Sequence, residues 1–365
     1  MRRNFYNADF DSINLILQFI DWPSVFSGCV NVNDFWNNFS NILNELIQTF
    51  VPFSKSVSKK RKKAPKLLKL LLQRKRKLWK KLQTRRDSVE VRIQYNKCLR
   101  DIKSFTRSQK ISFENKLLEK DQNNFFRFVN SNLKMNDCIH ELIIKDVKLT
   151  ENFEKAEALN NYFASVFTED DGIVPNFLTL KGEVIKNCVF SCDKIRAELM
   201  KLKNSLSTGP DGFPPYFLKK ISNFICIPLS SIFEVSFRTH ELPSVWLESH
   251  VTAIHKKGPK NFVENYRPIS LTCVCCKIME SLIKQQLNDF LNKNSMLDKT
   301  QYGFRSGKST GLQLLYCTKF WTSCIDNKSA VDVVYLDFAK AFDTVSHPKL
   351  FGKLEKLGVQ DDLML

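Results

Sequence analysis

Val331-Asp332-Val333-Val334-Tyr335-Leu336-Asp337-Phe338-Ala339-Lys340-Ala341-Phe342-Asp343 is the stretch on which the fold turns. An apolar run stops at a carboxylate. A helix-forming stretch follows, with an aromatic five residues after that carboxylate and a second acid beside it. Val333 to Leu336 is short and rich in β-branched and aromatic side chains, so it reads as a buried strand. A strand that ends in Asp337 brings a charge to the rim of a sheet, where open sheets hold their ligands. Carboxylate oxygens are hard ligands suited to Mg²⁺ carrying substrate phosphates. A plain strand followed by an aspartate helix cap would leave the same pattern, so the segment has to be weighed with its surroundings.

Other blocks precede it in a fixed order. Ser207-Thr208-Gly209-Pro210-Asp211-Gly212 is a turn cluster, and Trp246 follows. Then come Ile254-His255-Lys256-Lys257-Gly258, Asn265-Tyr266-Arg267-Pro268-Ile269-Ser270-Leu271 and Gln301-Tyr302-Gly303-Phe304-Arg305-Ser306-Gly307-Lys308-Ser309-Thr310. In this order and spacing they resemble the reverse transcriptase of non-LTR (LINE-type) retrotransposons, with jockey-like elements the nearest in kind. The strong resemblance runs from about residue 199 to 350, and a weaker one to the linker before such a polymerase covers what precedes.

The resemblance implies an α+β fold: a helical N-terminal extension, a fingers region with a β-hairpin, and the first elements of a right-hand palm. It divides the chain into an N-terminal linker region (1–54), a basic helical extension (55–135), a hairpin-and-helix linking region (136–191), fingers (192–330) and an incomplete palm (331–365). The implied activity is RNA-directed DNA polymerisation by two-metal nucleotidyl transfer. RNA template, DNA primer and dNTP are the partners, and Mg²⁺ is the cofactor, with Mn²⁺ able to replace it.

Residue roles follow from the same likeness. Asp337 stands as the first metal-binding carboxylate and the backbone carbonyl of Phe338 as a further ligand. Phe342 matches the ring beneath the incoming sugar, where a flat side chain leaves no room for a 2′-hydroxyl; a core aromatic is the competing reading. Asp343 braces the turn or caps the helix. Lys256 and Arg267 match the cations that grip the triphosphate, Arg as a planar fork and Lys as a mobile point charge. A surface hairpin with solvated cations is the alternative for that pair. Arg305 and Lys308, beside Gly303 and Gly307, match a block that meets template backbone, as small residues and cations would. Gly209 and Asp211 are placed near the template strand, although a purely structural turn explains them equally. Ala253 departs from the proline more usual in the family. Gly303-x-x-x-Gly307-Lys308-Ser309 is one residue short of a phosphate-binding loop and lacks a strand leading into it.

Charge is concentrated. The formal net charge is +18. From Lys55 to Arg86 there are 16 Lys/Arg and no acid, while residues 1–54 hold two basic and five acidic side chains. Such a block, including Lys60, Arg61, Lys62, Arg74, Lys75 and Arg76, suits phosphate backbones and makes affinity fall with salt. Nuclear localisation or a solvated helix face would produce the same run. It supports a second function, a non-catalytic nucleic-acid-binding remnant. Past Pro65 the block reads as a helix with Leu67, Leu71, Leu78 and Leu82 along one side. Helical signals continue to Phe125, Phe126 and Val129. A hairpin is expected across 139–149 with its turn at Lys145-Asp146, then a helix capped by Thr150 with a Phe153, Ala156, Phe163, Phe167 stripe.

The 11 cysteines are scattered and odd in number, without a secretory signal, and read as reduced and buried. No run is long enough to span a bilayer. An intracellular, soluble protein is expected, in the nucleus and in cytoplasmic ribonucleoprotein. The family pattern breaks in one place: no Tyr/Phe-x-Asp-Asp occurs. Asp361-Asp362 follows a helix-ending glycine too soon after Asp337 and reads as a decoy. With one carboxylate of the set, a fragment inactive by itself is expected, without the rest of the palm, the thumb, a zinc-knuckle region or an endonuclease.

Overall fold

The computed structural model describes residues 3–54, 65–84, 88–120, 139–177, 183–360 and 363, with the backbone alone for 117–120. Lys60, Arg61, Lys62, Phe125, Phe126, Val129, Asp361 and Asp362 lie outside the described residues. In chain order the helices are α1 (Phe10–Gln18), α2 (Trp22–Phe26), α3 (Val32–Phe50), α4 (Lys66–Thr84), α5 (Val89–Lys120), α6 (Asn152–Ala164), α7 (Cys192–Lys201), α8 (Pro215–Lys220), α9 (Ser222–Thr239), α10 (Val274–Lys293), α11 (Thr310–Asp326) and α12 (His347–Lys356). The strands are β1 (Leu142–Ile144), β2 (Val147–Leu149), β3 (His250–His255) and β4 (Tyr266–Leu271). Residues 1–54 and 140–365 form one compact unit; 55–139 form a second.

In the larger unit the N-terminal residues are part of the main core. Asn31 and Asp34 close a capping box at the start of α3, satisfying otherwise orphaned amides. Val32, Trp36, Phe39, Leu43, Leu46 and Ile47 then recur at helical spacing and are buried. They join Phe190, Ile195, Leu199, Phe213, Phe217, Ile232, Phe233, Trp246 and the α10 residues Ile278 and Leu282 in one cluster. The Trp36 ring stands edge-on to Trp246 at 5.2 Å, and Trp246 likewise to Phe233 at 5.9 Å. Such ring pairs add about 0.5–1.5 kcal/mol each beyond area burial. Residues 1–54 therefore share a core with residues 190–282.

Two antiparallel hairpins supply the sheet. β1 and β2 pair Leu142 with Leu149 through Ile144 with Val147. Their turn has Lys145 at φ 48° and Asp146 at φ 65°, and positive φ at both central residues is what a type I′ turn requires. The Ile143 amide donates to the Asn261 carbonyl at 2.7 Å, tying this hairpin to the loop of the next. β3 and β4 pair His250 with Leu271 through His255 with Tyr266.

Residues 333–336 form no strand: they are irregular and unpaired, with Leu336 85% exposed. A strand needs a neighbour for its amides and carbonyls, and among the described residues none lies beside it. Turns, not a helix, follow at 339–344, and α12 begins at His347. In α6 the cap is Glu151, not Thr150, and the buried side is Lys155, Ala158 and Leu159. Phe153 is exposed, so the buried face of α6 lies beside the expected aromatic stripe, not along it.

The smaller unit is an αα-hairpin. Trp79 of α4 meets Tyr95 of α5 at 5.6 Å, and the Cys98 thiol donates to the Leu71 carbonyl at 3.5 Å, which makes the pair antiparallel. Leu78 and Cys98 are buried between the helices. Of the expected α4 stripe, Leu67 is exposed.

Candidate nucleotide- and strand-binding site

The β3–β4 hairpin positions Lys256 and Arg267. Arg267 lies opposite Ile254, and the Lys256 amide donates to the Asn265 carbonyl at 2.7 Å. Side chains alternate along a strand, so Ile254 and Arg267 share one face, and Lys256 lies just past the end of β3, two residues on from Ile254. His255 and Tyr266 share the other, ring to ring at 5.6 Å. Tyr266 is buried, whereas Lys256 and Arg267 are exposed. The two cations are diagonal neighbours on the solvent face, a spacing of about 7–8 Å between backbones. The loop between them is braced internally. Gly258 turns at φ +79°, where a Cβ would lie 2.8 Å from the Asn265 amide nitrogen. Asn265 Nδ2 donates to the Pro259 carbonyl at 2.8 Å, the His255 ring to the Gly258 carbonyl at 2.8 Å, and the Tyr266 hydroxyl to the Lys260 carbonyl at 2.6 Å.

Gly209 and Asp211 are held by packing. A Cβ at Gly209 would meet the Thr272 carbonyl oxygen at 2.6 Å, so glycine lets this turn press on the backbone between β4 and α10. Asp211 Oδ1 accepts from the Phe213 amide at 3.2 Å, and its Oδ2 is buried without a partner among the described residues. Burial raises the Asp211 pKa above the ordinary carboxylate value, against the lowering effect of the Phe213 amide and Cys273. Cys273 beside it is pushed up to about 12 by burial and by the Asp211 charge. The sequence carried no sign of this carboxylate–thiol neighbourhood.

Arg305 and Lys308 are committed to their own loop. Arg305 Nη1 donates to the Asp298 carbonyl at 2.6 Å, and Lys308 Nζ to the Lys299 carbonyl at 2.9 Å. Lys308 also sits 4.3 Å over the Tyr302 ring. Both cations are half-buried. Phe304, immediately before Arg305, is 93% exposed and stands edge-on to the exposed Phe342 at 6.1 Å. That pair joins the 301–310 block to the 331–343 stretch. The sequence signal for Phe304 is a large aromatic between Gly303 and Gly307, beside cations that carry the motif's charge.

Asp337 and Phe338 are exposed, and among the described residues Asp337 has no hydrogen-bonding or ionic partner. The chain beyond is anchored: Lys340 lies 4.8 Å over the Tyr162 ring, Ser346 Oγ donates to Asp170 at 2.6 Å, and Lys349 pairs with Asp171 at 2.8 Å. The Lys349 hydrogen bond lowers the Asp171 pKa. Among the described residues no hydrogen bond or ion pair links Asp337 to Lys256 or Arg267, and no group of three or more His, Cys, Asp or Glu could hold a metal ion. No helix of the described residues is long and apolar enough to cross a membrane. Arg74 and Arg76 on α4 are exposed.

Residues 254–364 match the family model for reverse transcriptase (RNA-dependent DNA polymerase). Over its C-terminal part the chain is similar to the RNA-directed DNA polymerases of non-LTR retrotransposons. It is 33% identical over 166 residues to the probable RNA-directed DNA polymerase from transposon BS of Drosophila melanogaster, covering 45% of this chain and 18% of that protein. To the RNA-directed DNA polymerase from mobile element jockey of the same species it is 33% identical over 135 residues, 37% of this chain and 14% of the relative. The Pol polyprotein from type-1 retrotransposable element R2 of Popillia japonica is 27% identical over 120 residues, 33% of this chain and 16% of the relative. The chain thus spans less than a fifth of the length of these curated relatives.

Proposed function

We propose that this chain contributes the nucleotide- and template-binding face of an RNA-directed DNA polymerase that copies a retrotransposon RNA from a DNA primer. The single observation that carries this reading is the pairing of Lys256 and Arg267 on the solvent face of a braced hairpin. Two cations a strand apart, with no acid opposite either, match the charge of a triphosphate. Phe304 and Phe342 supply exposed rings beside the template block, and Phe342→Ala relaxing ribonucleotide discrimination in a polymerase containing this segment is the test of a sugar-gate role. Arg305 and Lys308 shape the loop that would meet template backbone, and Gly209 and Asp211 hold the turn against α10.

The reaction class calls for divalent ions, Mg²⁺ by preference and Mn²⁺ in its place. The described residues do not fit a two-ion site by themselves. Asp337 and the Phe338 carbonyl offer too few oxygens to hold two ions against water. The work assigned to this chain is therefore binding and positioning. Its setting, in this reading, is a nuclear and cytoplasmic ribonucleoprotein.

Titration of a fluorescent dNTP onto the chain tests the proposal. Binding should weaken on the order of tenfold in Arg267→Ala and further with Lys256→Ala added, since each charge-assisted contact is worth roughly 1.5–3 kcal/mol. Equal affinity in the double variant would end the triphosphate assignment. A second reading, a nucleic-acid binder without catalysis, is favoured by α4, whose exposed cations form no ion pairs among the described residues.

A further inference from the structure

The αα-hairpin carries a groove that neither polymerisation nor a simple charge block requires. It is lined by Trp79, Leu82 and Gln83 of α4 and by Arg92, Tyr95 and Asn96 of α5. Trp79 is 50% exposed although its ring packs on Tyr95 at 5.6 Å, tilted by 39°. Half of this large aromatic stays in water, at a hydrophobic cost. Around it stand groups that read a base edge. The amides of Gln83 and Asn96 make no side-chain hydrogen bond among the described residues, and the Arg92 guanidinium is exposed. Lys75 and Arg76 lie one turn before Trp79 and Gln83 one turn after, which puts them on its side of the helix. Across its whole length α4 holds eight Lys/Arg and no acid.

We propose that this groove is a stacking site for an unpaired nucleobase of a single-stranded nucleic acid. The base lies on Trp79, Gln83 and Asn96 bond its edge, and Lys75, Arg76 and Arg92 take the flanking phosphates. Aromatic faces flanked by cations are how single strands are held without dependence on sequence. A duplex keeps its bases stacked on one another and cannot offer one to Trp79. The proposal rests on the reading of the basic block as a nucleic-acid contact and adds to it a base-dependent component.

The test uses the full chain and a ten-nucleotide oligomer as RNA, as DNA, as a duplex, and as a strand with an abasic centre. Expected are binding of single strands over duplex, roughly tenfold or more weakening in Trp79→Leu, and near-retention in Trp79→Phe. A 2-aminopurine placed in the strand should be quenched by the wild-type chain and not by Trp79→Leu. RNA and DNA strands binding alike place recognition on the base; RNA binding more tightly adds a contact to the 2′-hydroxyl, and both outcomes support the site. If Trp79→Leu binds as the wild type does while a serine replacement of Lys75 and Arg76 abolishes binding, the charge block stands and the stacking site is refuted. If the wild-type chain binds no strand at low salt, both readings fail. Unchanged helix content by circular dichroism in each variant separates lost binding from lost folding.

Discussion

Asp211 shows how far one side chain's behaviour depends on what packs around it. The turn sequence allows an exposed acid ready for a strand or a buried one that holds the turn. The structure half-buries it beside Cys273, with its Oδ2 buried and without a hydrogen bond among the described residues. Its folded pKa is raised, so the stability it lends is fully present below its unfolded pKa of about 3.9 and is lost as pH rises through the folded value. Asp211→Asn cannot ionise and still accepts from the Phe213 amide. The variant should match the wild type in thermal stability near pH 3 and exceed it increasingly from about pH 4 upward. Melting curves across that range decide the matter, and a variant less stable at neutral pH would mean the charge is engaged by something else. Gly209 next to it was legible as a turn residue, but only the 2.6 Å approach to Thr272 shows why nothing larger fits.

Among elements, the β3–β4 hairpin was the most readable. The fingers hairpin expected around Lys256 and Arg267 is present, and its register sets Arg267 opposite Ile254 with Lys256 at the tip. Gly258→Ala should cost about 1–2 kcal/mol from the left-handed backbone alone, with the Asn265 contact added. Loosening the tip should also weaken triphosphate binding; a variant with both melting temperature and affinity unchanged would show that the tip does not position Lys256. Residues 333–336 were the least readable. Their composition is that of a strand, but pairing is a property of neighbours, and the segment lies exposed and unpaired. The α6 stripe failed for a related reason: Phe153 and Lys155 both fit a helical repeat, and the packing partner alone chose Lys155 for burial.

For the whole molecule the main surprise is where the core lies. Trp36, from a region expected to be a linker, stands against Trp246 and Phe213. Trp36→Ala should therefore destabilise the larger unit by about 3–5 kcal/mol, as loss of a buried large aromatic does. Chemical denaturation followed by the remaining tryptophans would read it; a loss under about 1 kcal/mol would mean that residues 1–54 are a detachable segment.

By itself the sequence determined the local and the chemical. Helix periods, the hairpin turn at Lys145-Asp146, the concentration of charge in 55–86 and the motif order behind the reverse transcriptase likeness are all carried by residues near one another in the chain. Tertiary structure alone decided the burial of Asp211, the joining of the 1–54 helices to residues 190–282, the Phe304–Phe342 contact and the exposure of residues 333–342. Each depends on which surfaces meet, and that is settled by total apolar area and hydrogen-bond satisfaction over contacts distant in sequence, which no local pattern encodes.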